Sequence, residues 1–400
     1  MARGAFFVAQ YYRDTWIEIQ LDAIQGNIQN LKKQLPKKTE VYAVVKANAY
    51  GHGDVQVAKA ALEGGASGLA VALLDEAIRL RETGISAPIL VMGWTRPEDV
   101  SVAADYDITL TVFQADWLRE IKTMNLDQVL SFHIKLDTGM GRIGIREPEE
   151  LEEVLKECKG EGLLLKGVFT HFATADEEET EYVEEQQRRF DDLMRTFTSL
   201  WEDPVEVHTG NSALSMRFPE KMNHIVRFGI SMYGLYPSKE VKAIKPIELS
   251  SSFSLHSKLV HTKKVPPGES ISYGATYTTS EEEWIGTIPI GYADGWIRKL
   301  QGIEVLINGK RMPIIGRICM DQCMVKLDQA YPVGTQVTLI GKQEKEEIEV
   351  DEIADYLETI NYEIPCMISE RVPRVFLNGG EVIDVYNGIT FSNEQRYGSV

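Results

Sequence analysis

Lys46 stands directly after the apolar run VYAVV, in the segment AVVKANAYGHG, and is followed by Tyr50 and a glycine-bracketed His52. A lysine at the end of a buried strand loses solvation, which lowers its pKa and makes its amine a nucleophile. The same position also suits a lysine that buries its stem and keeps its ammonium in water. Further on, KLDTGMGRIG presents Lys135, Asp137 and Arg142 in a loop with three glycines, and THFATAD carries His171. HTGNSA carries His208, Asn211 and Ser212, and VRFGISMYG carries Arg227. Ser212, with the backbone N–H groups of Gly229 and Ile230, is suited to hold a phosphate, although an Asn-Ser pair alone also reads as a helix cap. A nucleophilic lysine opposite a phosphate site suits an aldehyde cofactor with a phosphate handle. Pyridoxal phosphate meets that description.

Those segments need a scaffold that gathers them. From Val41 to about Gly234, short apolar runs (41–45, 68–73, 88–92, 108–112, 132–136, 165–172, 205–208 and 225–230) alternate with helical patterns. Their near-continuous hydrophobicity predicts parallel strands covered on both faces. Amphipathic stretches such as DVQVAKAALEG and DEAIRLRETG, each closing on glycine, predict the helices between them. About eight such units in roughly 200 residues predict an α/β fold, a (β/α)8 TIM-like barrel, whose catalytic groups gather at the C-terminal ends of the strands. An open doubly wound sheet is the competing arrangement, but no GxGxxG follows the first strand. After about Ser238, Thr, Ser, Val and Ile alternate with polar residues between turns such as PPGES, INGK and PVGT. That pattern predicts a mainly antiparallel β domain, with a short helix in the acidic stretch 342–356. The expected division is a barrel over 12–247 and a β domain over 248–400 that also takes in the N-terminal segment 1–11.

The segments AVVKANAYGHG, DTGMGRIG, HFATAD, HTGNSA, VRFGISMYG, ISYGATY, GRICMDQ and TINYEIPC, in this order through both halves, resemble bacterial alanine racemases. The resemblance implies an enzyme that interconverts L- and D-alanine and supplies D-alanine for peptidoglycan. It implies a cytoplasmic homodimer whose β domain completes the partner's active site, acting on a small molecule and on neither nucleic acid nor membrane. Carried over by position, it makes Lys46 the lysine of the internal Schiff base and Tyr273, from the second subunit, the opposing base. Tyr50, Ser212, Gly229, Ile230 and Tyr362 would hold the phosphate. Arg227 would face the pyridine nitrogen, with His171 hydrogen-bonded to it. Arg142 and Met320 of the second subunit would bind the substrate carboxylate, and Asp321 would shape access to the site. Lys135 matches a lysine that some relatives carbamylate, giving Arg142 an anionic neighbour.

The chemistry explains why such groups are needed. Inversion removes a proton from one face of the α-carbon and delivers one to the other, so two groups must flank it. Lys46 serves one face; a tyrosine serves the other only if nearby cations hold its phenolate. Arginine keeps its proton, so Arg227 at the ring nitrogen donates a hydrogen bond without protonating the ring. That should keep the carbanion short-lived and suppress transamination.

Other readings share parts of this pattern. A broad-specificity racemase or a basic amino-acid decarboxylase would use the same fold and cofactor, although decarboxylation benefits from a protonated ring that Arg227 does not provide. A pyridoxal-phosphate carrier would have the barrel without the further 150 or so residues that bring Tyr273, Met320 and Tyr362. A metal hydrolase would use His171, His208 and Asp137, but no HxH pair accompanies them; the expectation is that no metal is bound.

Composition narrows the field from another side. A net charge of −18 disfavours phosphate backbones and anionic lipid as partners. No apolar run reaches the roughly 18–20 residues of a membrane span, and the N-terminus lacks a signal-peptide core. Cys158, Cys319, Cys323 and Cys366 form no CxxC pair and are expected as free thiols in a reducing compartment. Cys319 and Cys323 lack further zinc ligands, His224, His256 and His261 lack evident partners, and Trp94 either lines the cofactor or packs.

Overall fold

A computed structural model describes residues 11–124 and 126–389. The chain forms two compact units: residues 23–49 with 54–251, and residues 11–22, 50–53 and 252–389.

The first unit is the barrel. The run TWIEIQ forms β1 (Thr15–Gln20), which belongs to the other unit, and the eight apolar runs of the sequence follow as β2 to β9. These are Glu40–Val44, Gly68–Val71, Ile89–Val91, Leu110–Val112, Leu130–Lys135, Leu163–Phe169, Glu206–His208 and Ile225–Phe228. All pair in parallel, in the orders β4-β3-β2-β9 and β5-β6-β7-β8. Parallel bridges Leu90–Thr109 and Gly210–Val226 join the two groups at both seams and close the ring. Strands β3 to β6 are buried along their whole length, as expected of strands with helices outside and side chains packed within. Helices such as Asp54–Glu63, Leu74–Glu82 and Glu181–Leu200 lie where amphipathic stretches placed them, the last with Glu181 and Glu184 in its first turn. The interior departs from an aliphatic filling. Ser131, His133, Lys135, Thr170, His208 and Arg227 are all buried.

The second unit is built on a large mixed sheet. Its strands are β1, β10 (Phe253–Lys258), β11 (His261–Val265), β12 (Ser270–Ile271), β13 (Tyr277–Thr278), β14 (Glu283–Ile288), β15 (Glu304–Ile307) and β16 (Lys310–Ile315). They continue with β17 (Cys323–Leu327), β18 (Gln336–Gln343), β19 (Glu346–Ile348), β20 (Arg374–Asn378) and β21 (Glu381–Tyr386). The order is β11-β14-β17-β16-β15-β18-β10-β1-β20-β21, antiparallel except for the β1–β20 pair, with β19 added to β18 and a separate β12–β13 hairpin. A helix, Val350–Leu357, follows β19 and accounts for the acidic stretch.

The boundaries differ from the expected ones. Residues 11–22 group with the β unit because β1 pairs antiparallel with β10 and parallel with β20. Residues 50–53 group there too: the His52 ring lies 5.3 Å from that of Phe253, and Arg374 donates to the Gly51 carbonyl at 3.1 Å. Residues 1–10 and 390–400 of the expected β domain lie outside the described residues. At the junction between the two expected domains, Ser238 caps a helix at Lys239–Ile244.

Candidate active site

Lys46 follows β2 and is half-buried. After it the backbone turns left-handed for four consecutive residues: Ala47, Asn48, Ala49 and Tyr50 have φ of 53°, 52°, 52° and 53°. For L-residues this conformation costs roughly 1–2 kcal/mol each, so the turn must be held from outside. Glu76 does so. Its Oε1 accepts the Ala47 N–H at 2.6 Å, while its Oε2 accepts the N–H groups of Ala72 at 2.8 Å and Leu73 at 3.1 Å. Asn48 Oδ1 then accepts the Asp54 N–H at 2.9 Å, starting the next helix. Sequence reasoning missed Glu76. A glutamate at the third position of a predicted helix was the available signal.

Lys135 ends β6 and is only 3% exposed. Its Nζ donates to the Leu136 carbonyl at 2.7 Å and lies 5.4 Å from the centre of the Phe169 ring. Burial first, and then the charge of Arg227, push its pKa down to about 7, with Arg142 acting in the same direction and Asp137 against it. Asp137 shapes the glycine loop: its Oδ1 accepts the N–H groups of Gly139 at 3.2 Å and Gly141 at 2.9 Å. Glycine is required there, since Gly139, Gly141 and Gly144 all have positive φ. Arg142, on the same loop, is exposed.

Arg227, 3% exposed, makes five hydrogen bonds within the barrel. One terminal nitrogen lies 2.7 Å from His208 Nδ1, and the other donates to the Thr170 carbonyl at 2.8 Å and lies 3.3 Å from His171 Nδ1. Burial, then Arg142, lower its pKa to about 9, which leaves it cationic at neutral pH. Both histidines are pushed well below their ordinary value, by burial and then by Arg227, so they face it as neutral acceptors. Asp137 is bound into its loop and both histidines face Arg227. Among the described residues no cluster of three ligands suits a metal ion.

Ser212 Oγ accepts the Gly229 N–H at 2.9 Å. Asn211 caps the short helix beginning at Ser212, as the cap reading of the Asn-Ser pair expected. Ser231, one residue beyond Ile230, is fully buried with a hydroxyl that has no hydrogen-bond partner among the described residues. A buried orphan hydroxyl beside exposable backbone donors is what an absent anion would satisfy. With Lys46, Lys135, Arg142 and Arg227 on strand ends and adjoining loops, these residues fit a cofactor bearing a phosphate. An acidic chain thus has a basic barrel mouth.

On the β unit, Tyr50 is buried, its ring centre 6.2 Å from that of Tyr362, and its hydroxyl is pushed upward by burial and then Cys366. Tyr273 is 71% exposed on the turn between β12 and β13, beside Ser272, which has φ of 68° and donates to the Arg317 carbonyl at 2.5 Å. Met320 is 52% exposed, and Asp321 accepts from Arg371 at 2.7 Å. All four cysteines are free, and Trp94 is exposed rather than packed.

Comparison with known proteins agrees on the family. The family described as "Alanine racemase, N-terminal domain" matches residues 19–237, and "Alanine racemase, C-terminal domain" matches 252–376. The chain is similar to the alanine racemase of Geobacillus kaustophilus, 54% identical over 95% of this chain and 99% of the relative. It is 55% identical to that of Geobacillus stearothermophilus, over 95% and 97% of the two chains. A solved structure of the Bacillus anthracis alanine racemase with bound L-Ala-P superposes with a TM-score of 0.93 at 52% identity, covering 95% of this chain and 99% of that one.

Proposed function

This chain belongs to the alanine racemase family, and from that premise we propose how its own residues carry out the reaction. The activity is the interconversion of L- and D-alanine, with pyridoxal phosphate as cofactor. When bound, the cofactor supplies an electron sink that acidifies the α-proton.

Lys46 holds the cofactor and, when released, takes or returns the α-proton on one face. Tyr273 from a second copy of the chain does so on the opposite face. Ser212, the N–H groups of Gly229 and Ile230, Tyr50 and Tyr362 hold the phosphate. Arg142, with Met320 of that second copy, receives the substrate carboxylate, and Asp321 shapes the way in. Arg227 would face the ring nitrogen as a fixed donor that keeps its own proton, and so would leave the ring unprotonated and favour proton return at the α-carbon. The observation that carries this reading is Arg227 itself, a buried guanidinium pinned by two neutral histidines and three backbone carbonyls.

Lys135, with its amine near neutrality at physiological pH, is carbamylated and gives Arg142 an anionic neighbour. The enzyme is a homodimer with shared sites, works in the cytoplasm and supplies D-alanine for peptidoglycan. Exposure of Tyr273 and Met320 on their own unit supports the shared site, and four free thiols support a reducing compartment. Borohydride reduction of the holoenzyme followed by peptide mapping tests the site. The pyridoxyl group should appear on Lys46, and recovery on Lys135 or any other lysine would overturn the assignment.

A further inference from the structure

Inside the barrel runs a polar relay to which the roles above give no task. Arg227 on β9 meets His208 on β8, and His208 Nε2 lies 2.8 Å from Nδ1 of His133 on β6. Since β6 and β8 are both neighbours of β7, the second bond passes over β7. That strand is built to allow it. Register shifts so that Phe132 pairs with Leu165 and His133 with Gly167, leaving Lys166 as an extra residue. A bulge of this kind re-aims side chains and is common beside active sites. The glycine it places opposite His133 is required, because a Cβ there would lie 2.7 Å from both Nδ1 and Cε1 of the imidazole. Phe169 stacks on His208 with ring centres 4.7 Å apart and planes within 4°.

The proton positions follow from the one member that cannot change. A guanidinium only donates, so His208 Nδ1 accepts from Arg227 at 2.7 Å and its hydrogen sits on Nε2. That hydrogen goes to His133 Nδ1, which places the hydrogen of His133 on Nε2, facing the Glu206 carboxylate at 3.7 Å. We propose that His133 is a positioning residue for racemisation: by accepting from His208 it locks the tautomer that lets His208 accept from Arg227, and so fixes the guanidinium at the cofactor ring. This rests on the placement of Arg227 at the ring nitrogen. Burial, then Lys166 and Arg227 in turn, keep His133 neutral, as the lock requires. Without an acceptor at position 133, His208 can move its hydrogen to Nδ1, where it would oppose a guanidinium hydrogen and displace the arginine.

Holoenzyme carrying nitrogen-15 in its histidine rings and in the cofactor's ring nitrogen reads both halves of the proposal. In the native protein His208 and His133 should each show their hydrogen on Nε2, with signals assigned by their loss in His133→Asn and His208→Gln. His133→Leu should move His208 toward the Nδ1–H form, shift the ring-nitrogen signal and lower kcat about tenfold with KM changed less than about twofold. His133→Asn, whose Oδ1 can stand in for the Nδ1 acceptor, should keep the native His208 tautomer and stay within about threefold of native kcat. If the leucine variant does not fold, Gly167→Ala, which crowds the imidazole from β7, should give the same changes. A hydrogen on His208 Nδ1 in the native protein overturns the proposal, as do unchanged ring-nitrogen signals and kcat in both disruptive variants. A ring-nitrogen signal that even Arg227→Leu leaves unmoved, with the native tautomers as expected, locates the failure in the placement of Arg227 instead, and the proposal falls with it.

Discussion

The carboxylate of Glu76 accepts the backbone N–H of Ala47 at 2.6 Å, the residue directly after Lys46. A second oxygen of the same group accepts two N–H groups at the end of β3. One side chain therefore ties the left-handed turn behind Lys46 to the neighbouring strand.

Removing that tie should release the turn. Glu76→Ala loses three charge-assisted hydrogen bonds and should lower stability by about 1–3 kcal/mol, with activity falling on the order of tenfold because Lys46 is less well held. Glu76→Gln keeps one acceptor oxygen and should fall between. Thermal unfolding and racemisation rates of the three proteins check this; native behaviour in the alanine variant would show that the turn holds itself.

Proton ownership at the ring is tested at Arg227. Arg227→Glu should slow racemisation while a new long-wavelength absorbance and slow pyruvate formation appear, since a carboxyl group there can stabilise a protonated ring. Absence of both signals would make Arg227 a purely structural residue.

Modification of Lys135 should depend on pH. An amine whose pKa is lowered from 10.5 to about 7 becomes neutral as pH rises through 7. Only the neutral amine takes up carbon dioxide, so occupancy should climb from pH 6 to pH 8 at fixed dissolved carbon dioxide and collapse on acidification. Native mass spectrometry of the intact protein and of Lys135→Gln reads this. Equal occupancy in the two proteins would place the adduct elsewhere.

Shared sites predict complementation. Mixed under conditions of subunit exchange, Lys46→Ala and Tyr273→Ala should yield dimers with one doubly lesioned and one intact site. Random exchange makes half the dimers mixed, so about a quarter of native racemisation should return from nearly inactive parents. Demonstrated exchange without recovery would mean that the two residues act within one chain.

Much of the barrel is legible in the sequence. Each of the eight apolar runs from 41–45 to 225–230 became a strand, because burial on both faces writes a continuous local signal. Strand ends then located Lys46, Lys135, His171, Ser212 and Arg227 without reference to any contact. What the sequence by itself determined is thus which residues stand at the mouth and which chemistry their types allow. The tertiary structure decided the rest. It assigned β1 to the β unit, since TWIEIQ reads as a strand but its partners lie some 240 and 360 residues away. It made Asp137 a loop brace, set four non-glycine residues left-handed behind Lys46, and joined His133 to Arg227 through His208. Hydrophobic periodicity is a property of neighbours along the chain, whereas a hydrogen-bond partner is fixed by strands that meet only when the barrel closes.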